Sequence, residues 1–225
     1  MTGNTTTGIS ARQVRNIRLT VVSLLLLVVV IVGGFVMQLT KPRVMSSADL
    51  KLNGAFMFDV PRALPEFELL SHRGERFVAS DFEGQWSLVF FGFTYCPDIC
   101  PTTMAFLARF MEELESFPEA ADTRVVMVSV DPARDSPERL AEYVPYFNPD
   151  FLGVTGEFLE IHRLATGLNT PFRKVPGEDD SYLVEHSANV VLINPRGPYY
   201  GFFKAPLELD KLILTYRSIR AAWDQ

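Results

Sequence analysis

The chain has 225 residues, 48% of them hydrophobic, 21% charged and 12% aromatic. That allows one ordinary domain with an appendage and excludes a disordered, collagen-like or disulfide-dense chain. The formal charge of −6 is uneven: Met1 to Ala48 holds no Asp or Glu but has Arg12, Arg15, Arg18, Lys41 and Arg43, so the rest sets 16 of the 21 basic residues against all 27 acidic ones. Such an excess of carboxylates repels phosphate, which argues against nucleic acid as a partner.

Residues 1–18 form a short basic tail. Leu19 to Leu39 contains no charged residue. As a helix it extends about 31 Å, the thickness of a bilayer's hydrocarbon core. A cleaved signal peptide has an apolar core of only about 7–15 residues followed closely by small residues. Here the run is longer, and Met37-Gln38-Leu39-Thr40 is a poor cleavage site. The segment 19–39 is therefore predicted to be an uncleaved transmembrane anchor. The basic tail predicts a cytoplasmic N-terminus and an exported domain, in a bacterial inner membrane facing the periplasm or, alternatively, a mitochondrial inner membrane facing the intermembrane space. Residues 40–64 read as a tether and 65–225 as the domain.

Phe67-Glu68-Leu69 and Arg76-Phe77-Val78 flank the turn signal Ser71-His72-Arg73-Gly74, which predicts a hairpin within Glu66 to Phe82. Trp86 to Phe93 is a continuous apolar run, as in a strand buried on both faces. Pro101 opens a helix to about Phe117, with Met104, Leu107, Ala108, Met111 and Leu114 at helical spacing. Val125 to Val130 reads as a second buried strand. Asp135-Ser136-Pro137-Glu138 reads as cap, Pro and acid at a helix start. Phe158, Ile161, His162 and Ala165 mark a third helix. Val190 to Ile193 and Tyr199 to Phe203 flank the turn Asn194-Pro195-Arg196-Gly197, and Leu207 to Trp223 closes the chain as a helix. Strands alternating with helices predict an α/β fold, a central mixed sheet with helices on both faces. A Cys motif leaving a buried strand and entering a helix is the thioredoxin-like arrangement.

The only two cysteines stand in Tyr95-Cys96-Pro97-Asp98-Ile99-Cys100-Pro101. Residues four apart share one helix face, so both sulfurs can converge, either as a disulfide or as chelators of one soft ion. Pro101 suits the first helical position, which puts Cys100 near the N-cap, where the positive helix end favours thiolate. Redox work alone would favour the tighter Cys-x-x-Cys, and two thiolates leave a metal under-coordinated. The third ligand would come from His72, His162 or His186. His72 falls in a turn and His162 on a helix. His186 opens the run into Val190-Val191, a strand that in thioredoxin-like topology lies beside the Cys-bearing one, and is the preferred candidate. Asp98 between the cysteines tunes the site, faces a partner or stabilises the helix start. Asp131 supports the ligands from behind or forms a strand-end turn, and Met104 is a core residue by its spacing. No Ser/His/Asp triad, phosphate loop or nucleotide fingerprint is present.

The run Phe90-Phe91-Gly92-Phe93-Thr94-Tyr95-Cys96-Pro97-Asp98-Ile99-Cys100-Pro101-Thr102-Thr103-Met104 resembles the signature of the Sco/SenC proteins. Val128 to Pro137 and Glu185-His186-Ser187-Ala188 are similar to that family's two further motifs, in order. The resemblance covers roughly Pro65 to Trp223. It implies a thioredoxin-like fold that binds copper, as Cu(I) or Cu(II), through Cys96, Cys100 and His186. It also implies delivery of copper to the dinuclear centre of cytochrome c oxidase subunit II, or reduction of that centre, with a copper donor protein as the other partner. The competing expectations use the same atoms: a membrane-tethered thiol-disulfide oxidoreductase or peroxidase, or a copper or redox sensor. Thioredoxins carry a cis-proline near the place of His186, whereas no Pro lies here between Pro176 and Pro195.

Overall fold

The computed structural model describes residues 11–40, 44–177 and 182–223. It falls into two compact units divided after Arg43. The first is the helix α1 (Ala11–Thr40), whose span Arg12–Val36 is long and apolar enough to cross a membrane. It begins before the predicted Leu19, because Ala11, Arg12, Gln13 and Arg15 are good helix formers.

The second unit begins inside the segment read as a tether. Ser46 caps a short helix, α2 (Ser47–Leu52), by accepting the Asp49 N–H, and strand β1 (Ala55–Arg62) follows. The hairpin strands β2 (Glu68–Ser71) and β3 (Arg76–Val78) come next, then β4 (Trp86–Gly92) and α3 (Ile99–Leu114). Strand β5 (Thr123–Ser129) and α4 (Pro137–Phe147) follow, with Ser136 as N-cap accepting the Arg139 N–H and Pro137 in the first turn. After them come β6 (Leu152–Thr155), α5 (Phe158–Gly167), β7 (Phe172–Pro176), β8 (Tyr182–His186), β9 (Val190–Ile193), β10 (Tyr199–Phe203) and α6 (Leu209–Trp223).

Eight strands form one mixed sheet in the order β1-β10-β9-β4-β5-β6-β2-β3. The central strand β4 runs parallel to β5, in register Phe90↔Met127 and Gly92↔Ser129, and antiparallel to β9, with Phe90↔Val190. Every residue of β4 is buried. Since side chains alternate across a strand, both faces of the sheet are covered there, as an unbroken apolar run requires. On α3, Met104, Leu107 and Leu114 of the expected apolar stripe are fully buried, Ala108 and Met111 are half-buried against the core, and Phe110, outside that stripe, is fully buried as well. Met104 is core.

The ribbon β7–β8 stands apart. Among the described residues it pairs only with itself, Phe172 opposite His186 and Lys174 opposite Val184, and joins no strand of the main sheet. His186 thus ends β8 instead of opening the strand beside β4. The reason is local: the Asn189 N–H bonds the Ser187 hydroxyl and the Asn189 amide oxygen accepts the Ala205 N–H, which turns the chain before Val190.

Candidate metal centre

The site lies where β4 ends. Gly92 is the last strand residue, Phe93 to Asp98 form a loop, and α3 starts at Ile99. A buried carboxylate fixes the loop: Asp135 accepts the Thr94 N–H (3.0 Å) and hydroxyl (2.7 Å) and the Ser129 hydroxyl (2.7 Å). A buried carboxyl group is tolerable only with such partners. Asp135 therefore ties the start of the cysteine loop to the end of β5 and the entry to α4. The cap expected of Asp135-Ser136 ahead of Pro137 is Ser136.

Both cysteines are free thiols, Cys96 half-buried and Cys100 buried. Because α3 begins two residues before the predicted Pro101, Cys100 sits within its first turn, and Asp98 takes the N-cap position. Asp98 is exposed and makes no capping hydrogen bond. The helix-end N–H of Cys100 donates to Cys96 Sγ at 3.4 Å, so the positive helix end is directed at Cys96. Burial pushes the Cys100 thiol well above its ordinary range, and the hydrogen-bonded Cys96 sulfur beside it adds to this. The expectation that the helix end makes Cys100 a thiolate is corrected: desolvation outweighs the dipole at a buried sulfur.

His186 completes the cluster. Its Nε2 lies 3.2 Å from Cys100 Sγ, and its Nδ1 lies 3.1 Å from the Ser187 carbonyl oxygen. A carbonyl only accepts, so Nδ1 carries the proton and the Nε2 lone pair faces the sulfurs, the orientation a metal-binding imidazole needs. Phe90 and Phe93 meet the ring edge-on, with centroids at 5.8 and 5.9 Å. Burial lowers the His186 pKa and keeps the ring neutral.

The three ligand atoms of Cys96, Cys100 and His186 all lie within 4.8 Å of one another. Metal–sulfur bonds of about 2.3 Å and metal–nitrogen bonds of about 2.0 Å place two ligands up to about 4.6 Å apart. One ion therefore fits among these donors with little movement. Two sulfurs and an imidazole suit soft or borderline ions such as Cu(I) or Zn(II), and binding would displace the thiol protons.

The other histidines lie elsewhere. His72 Nδ1 accepts the Gly153 N–H at 2.9 Å, tying the β2–β3 turn to β6. His162 is exposed and stacks on Phe158, instead of being partly buried against the core as its place on the helix suggests. Asp131 is buried beside the site: its Oδ1 accepts the Tyr182 hydroxyl at 2.7 Å, and its Oδ2 pairs with Arg134. Tyr182 carried no signal in the sequence, and Arg134 none beyond its place in the run Val128 to Pro137.

Comparison with known proteins gives the same picture. The family model described as SCO1/SenC matches residues 59–219. A Stutzerimonas stutzeri protein named for copper binding is 39% identical over 155 residues, covering 67% of this chain and 74% of the relative. The human mitochondrial SCO2 homolog is 40% identical over 159 residues, covering 70% of this chain but 60% of the relative. Among solved structures, Arabidopsis thaliana ScoI with copper bound superposes with a TM-score of 0.66 at 33% identity, covering 70% of this chain and 98% of that one.

Proposed function

This chain belongs to the SCO1/SenC family, and on that premise we propose that it binds one copper ion through Cys96, Cys100 and His186 and acts in cytochrome c oxidase assembly, helping to metallate the dinuclear copper centre of subunit II. The observation that carries the reading is the convergence of two sulfurs and an oriented imidazole within 4.8 Å. Copper is the cargo; the set is complete for Cu(I), and a fourth oxygen or solvent ligand would accommodate Cu(II). His186 supplies the lone pair that separates copper handling from a two-cysteine redox cycle. Half-buried Cys96, beside exposed Tyr95 and Asp98, is the face a copper donor and subunit II would meet. Helix α1 anchors the chain in an inner membrane, with the domain on the exported side.

One observation favours a second reading, a tethered thiol-disulfide reductase: accessible Cys96 stands before buried Cys100, the asymmetry of an attacking and a resolving thiol. The test is Cu(I) titration of the reduced full chain in detergent, with X-ray absorption at saturation. Two sulfur ligands and one nitrogen are expected, and Cys96→Ser should lose at least about a hundredfold in affinity, beyond what an outer-shell partner costs. In cells, His186→Ala and Cys96→Ser should both lose oxidase activity. Full oxidase with His186→Ala but none with Cys96→Ser would establish the reductase instead.

A further inference from the structure

Among the described residues, His186 sits on a ribbon that shares no strand pairing with the sheet carrying the cysteines. Something other than a β-ladder must hold it against Cys100. Four residues before His186, the Tyr182 hydroxyl donates to buried Asp131 Oδ1 at 2.7 Å. Across the ribbon, Lys174 Nζ lies 4.0 Å from the same oxygen and 4.3 Å from the Tyr182 ring centroid. Asp131 is itself fixed to the main sheet, since its N–H donates to the Ser129 hydroxyl at 3.1 Å.

Arg134 joins this anchor to the cysteine loop. Its Nε pairs with Asp131 Oδ2. Its guanidinium carbon lies 3.8 Å from the Tyr182 ring centroid, 5.1 Å from that of Tyr95 and 5.6 Å from that of Phe93. One planar cation thus contacts the residue just before Cys96 and the aromatic residue of the strand that ends in His186. Stacking of this kind is a property of arginine that lysine does not reproduce.

We propose that Tyr182, Arg134 and Asp131 form a clamp that holds the β7–β8 ribbon closed on the cysteine loop, so that Tyr182 and Arg134 are positioning residues for His186 as a copper ligand. The clamp rests on the copper reading above. Releasing it leaves all three ligands in the chain but lets the ribbon carry His186 away from the sulfurs. If the imidazole then faces them about a tenth of the time, apparent affinity falls about tenfold.

The test uses the full chain in detergent with Tyr182→Phe, which keeps the ring over Arg134 and removes only the hydroxyl, and with Arg134→Lys. Two quantities are measured: amide hydrogen exchange of the metal-free protein, and Cu(I) affinity by chelator competition. Exchange should quicken across 182–186 while β4 and β5 stay at wild-type rates, and Cu(I) affinity should fall about tenfold in each variant. In a His186→Ala background, Tyr182→Phe should cost no further affinity, a non-additivity that general destabilisation does not produce. Wild-type exchange and wild-type affinity in both variants, with sulfur and nitrogen ligands still found in the parent, would overturn the clamp and leave the copper site standing. Faster ribbon exchange in a protein that binds no copper would overturn the copper reading and the clamp's role in it, while leaving the contact itself intact.

Discussion

A buried sulfur can lie against strand β4 only if the strand offers it room, and Gly92 does. A Cβ placed on Gly92 would stand 3.0 Å from Cys100 Sγ and 2.7 Å from Phe90 Cε1. The Phe90 ring is fully buried and flanks His186, so neither neighbour can yield freely. Overpacking of this kind costs about 1–3 kcal/mol. Gly92→Ala should therefore lower stability by that amount and push the Cys100 sulfur off its place, weakening Cu(I) binding by about tenfold or more; denaturant unfolding and chelator competition measure the two effects. An unchanged Cu(I) affinity would mean that the sulfur has slack the packing does not show. The three metal-site candidates were legible because their residue types are scarce: two cysteines and three histidines in the whole chain. Asp135, Arg134 and Tyr182 were not. Each belongs to a common type with no periodic signal of its own, Arg134 and Asp135 standing out only as part of the run Val128 to Pro137, and their partners Thr94, Tyr95 and Asp131 come from other elements.

The elements read correctly from sequence are those whose burial is uniform or periodic. Strands β4, β5, β9 and β10 and the helices α3 to α6 appear where apolar runs or spacing put them, within a few residues at the ends. Strands β6, β7 and β8 escaped notice for physical reasons. Strand β6 has four residues including Gly153, and β7 is almost wholly exposed and ends on Pro176. Tertiary partners make such strands, and β6 shows how. His72 extends the β2–β6 pairing through its side chain, with its own N–H on the Gly153 carbonyl (2.8 Å) and its Nδ1 taking the Gly153 N–H. Burial first, and Arg73 second, lower the His72 pKa below its ordinary 6.5. A histidine whose folded pKa is depressed stabilises fully above the unfolded value, and that stability drains away as pH falls through the folded one. Acidifying from about pH 7.5 to about pH 5 should therefore destabilise the wild type more than His72→Asn, whose amide oxygen can accept the Gly153 N–H without a proton to gain. Burial lowers the His186 pKa in the same direction, so the difference between the two proteins, not the total slope, is the quantity to measure by denaturation in detergent. Equal slopes would remove His72 from the account.

At the scale of the molecule, the domain starts earlier than its composition suggests. The segment 40–64 looked like a tether because Pro42 and Pro61 interrupt it and no period runs through it. Yet β1 closes one edge of the sheet on β10, in register Ala55↔Phe203 and Phe56↔Phe202. The Phe56 ring stacks on Phe202 at 5.1 Å, Phe58 meets Tyr199 edge-on at 4.8 Å, and Arg62 lies over Phe58 at 4.1 Å. The approach is close enough that a Cβ on Gly201 would stand 2.4 Å from the Phe56 carbonyl oxygen. Upstream, the Met45 N–H donates to the Ser218 hydroxyl of α6 at 2.7 Å, and Leu50 and Ala55 are buried. Each large apolar side chain stripped of such cover costs roughly 1.5–3 kcal/mol, and the exposed β10 would become an open edge able to pair with other chains. Two fragments separate the readings. One starting at Val44 should fold as a soluble monomer, while one starting at Pro65, where the sequence put the domain, should melt at least about 10 °C lower, since a domain of this size loses about 2–4 °C per kcal/mol. It should also aggregate with time. Both differences are measured by thermal unfolding and size-exclusion chromatography on the reduced, metal-free fragments. Equal midpoints and equal monomer fractions would return residues 44–64 to the role of a tether.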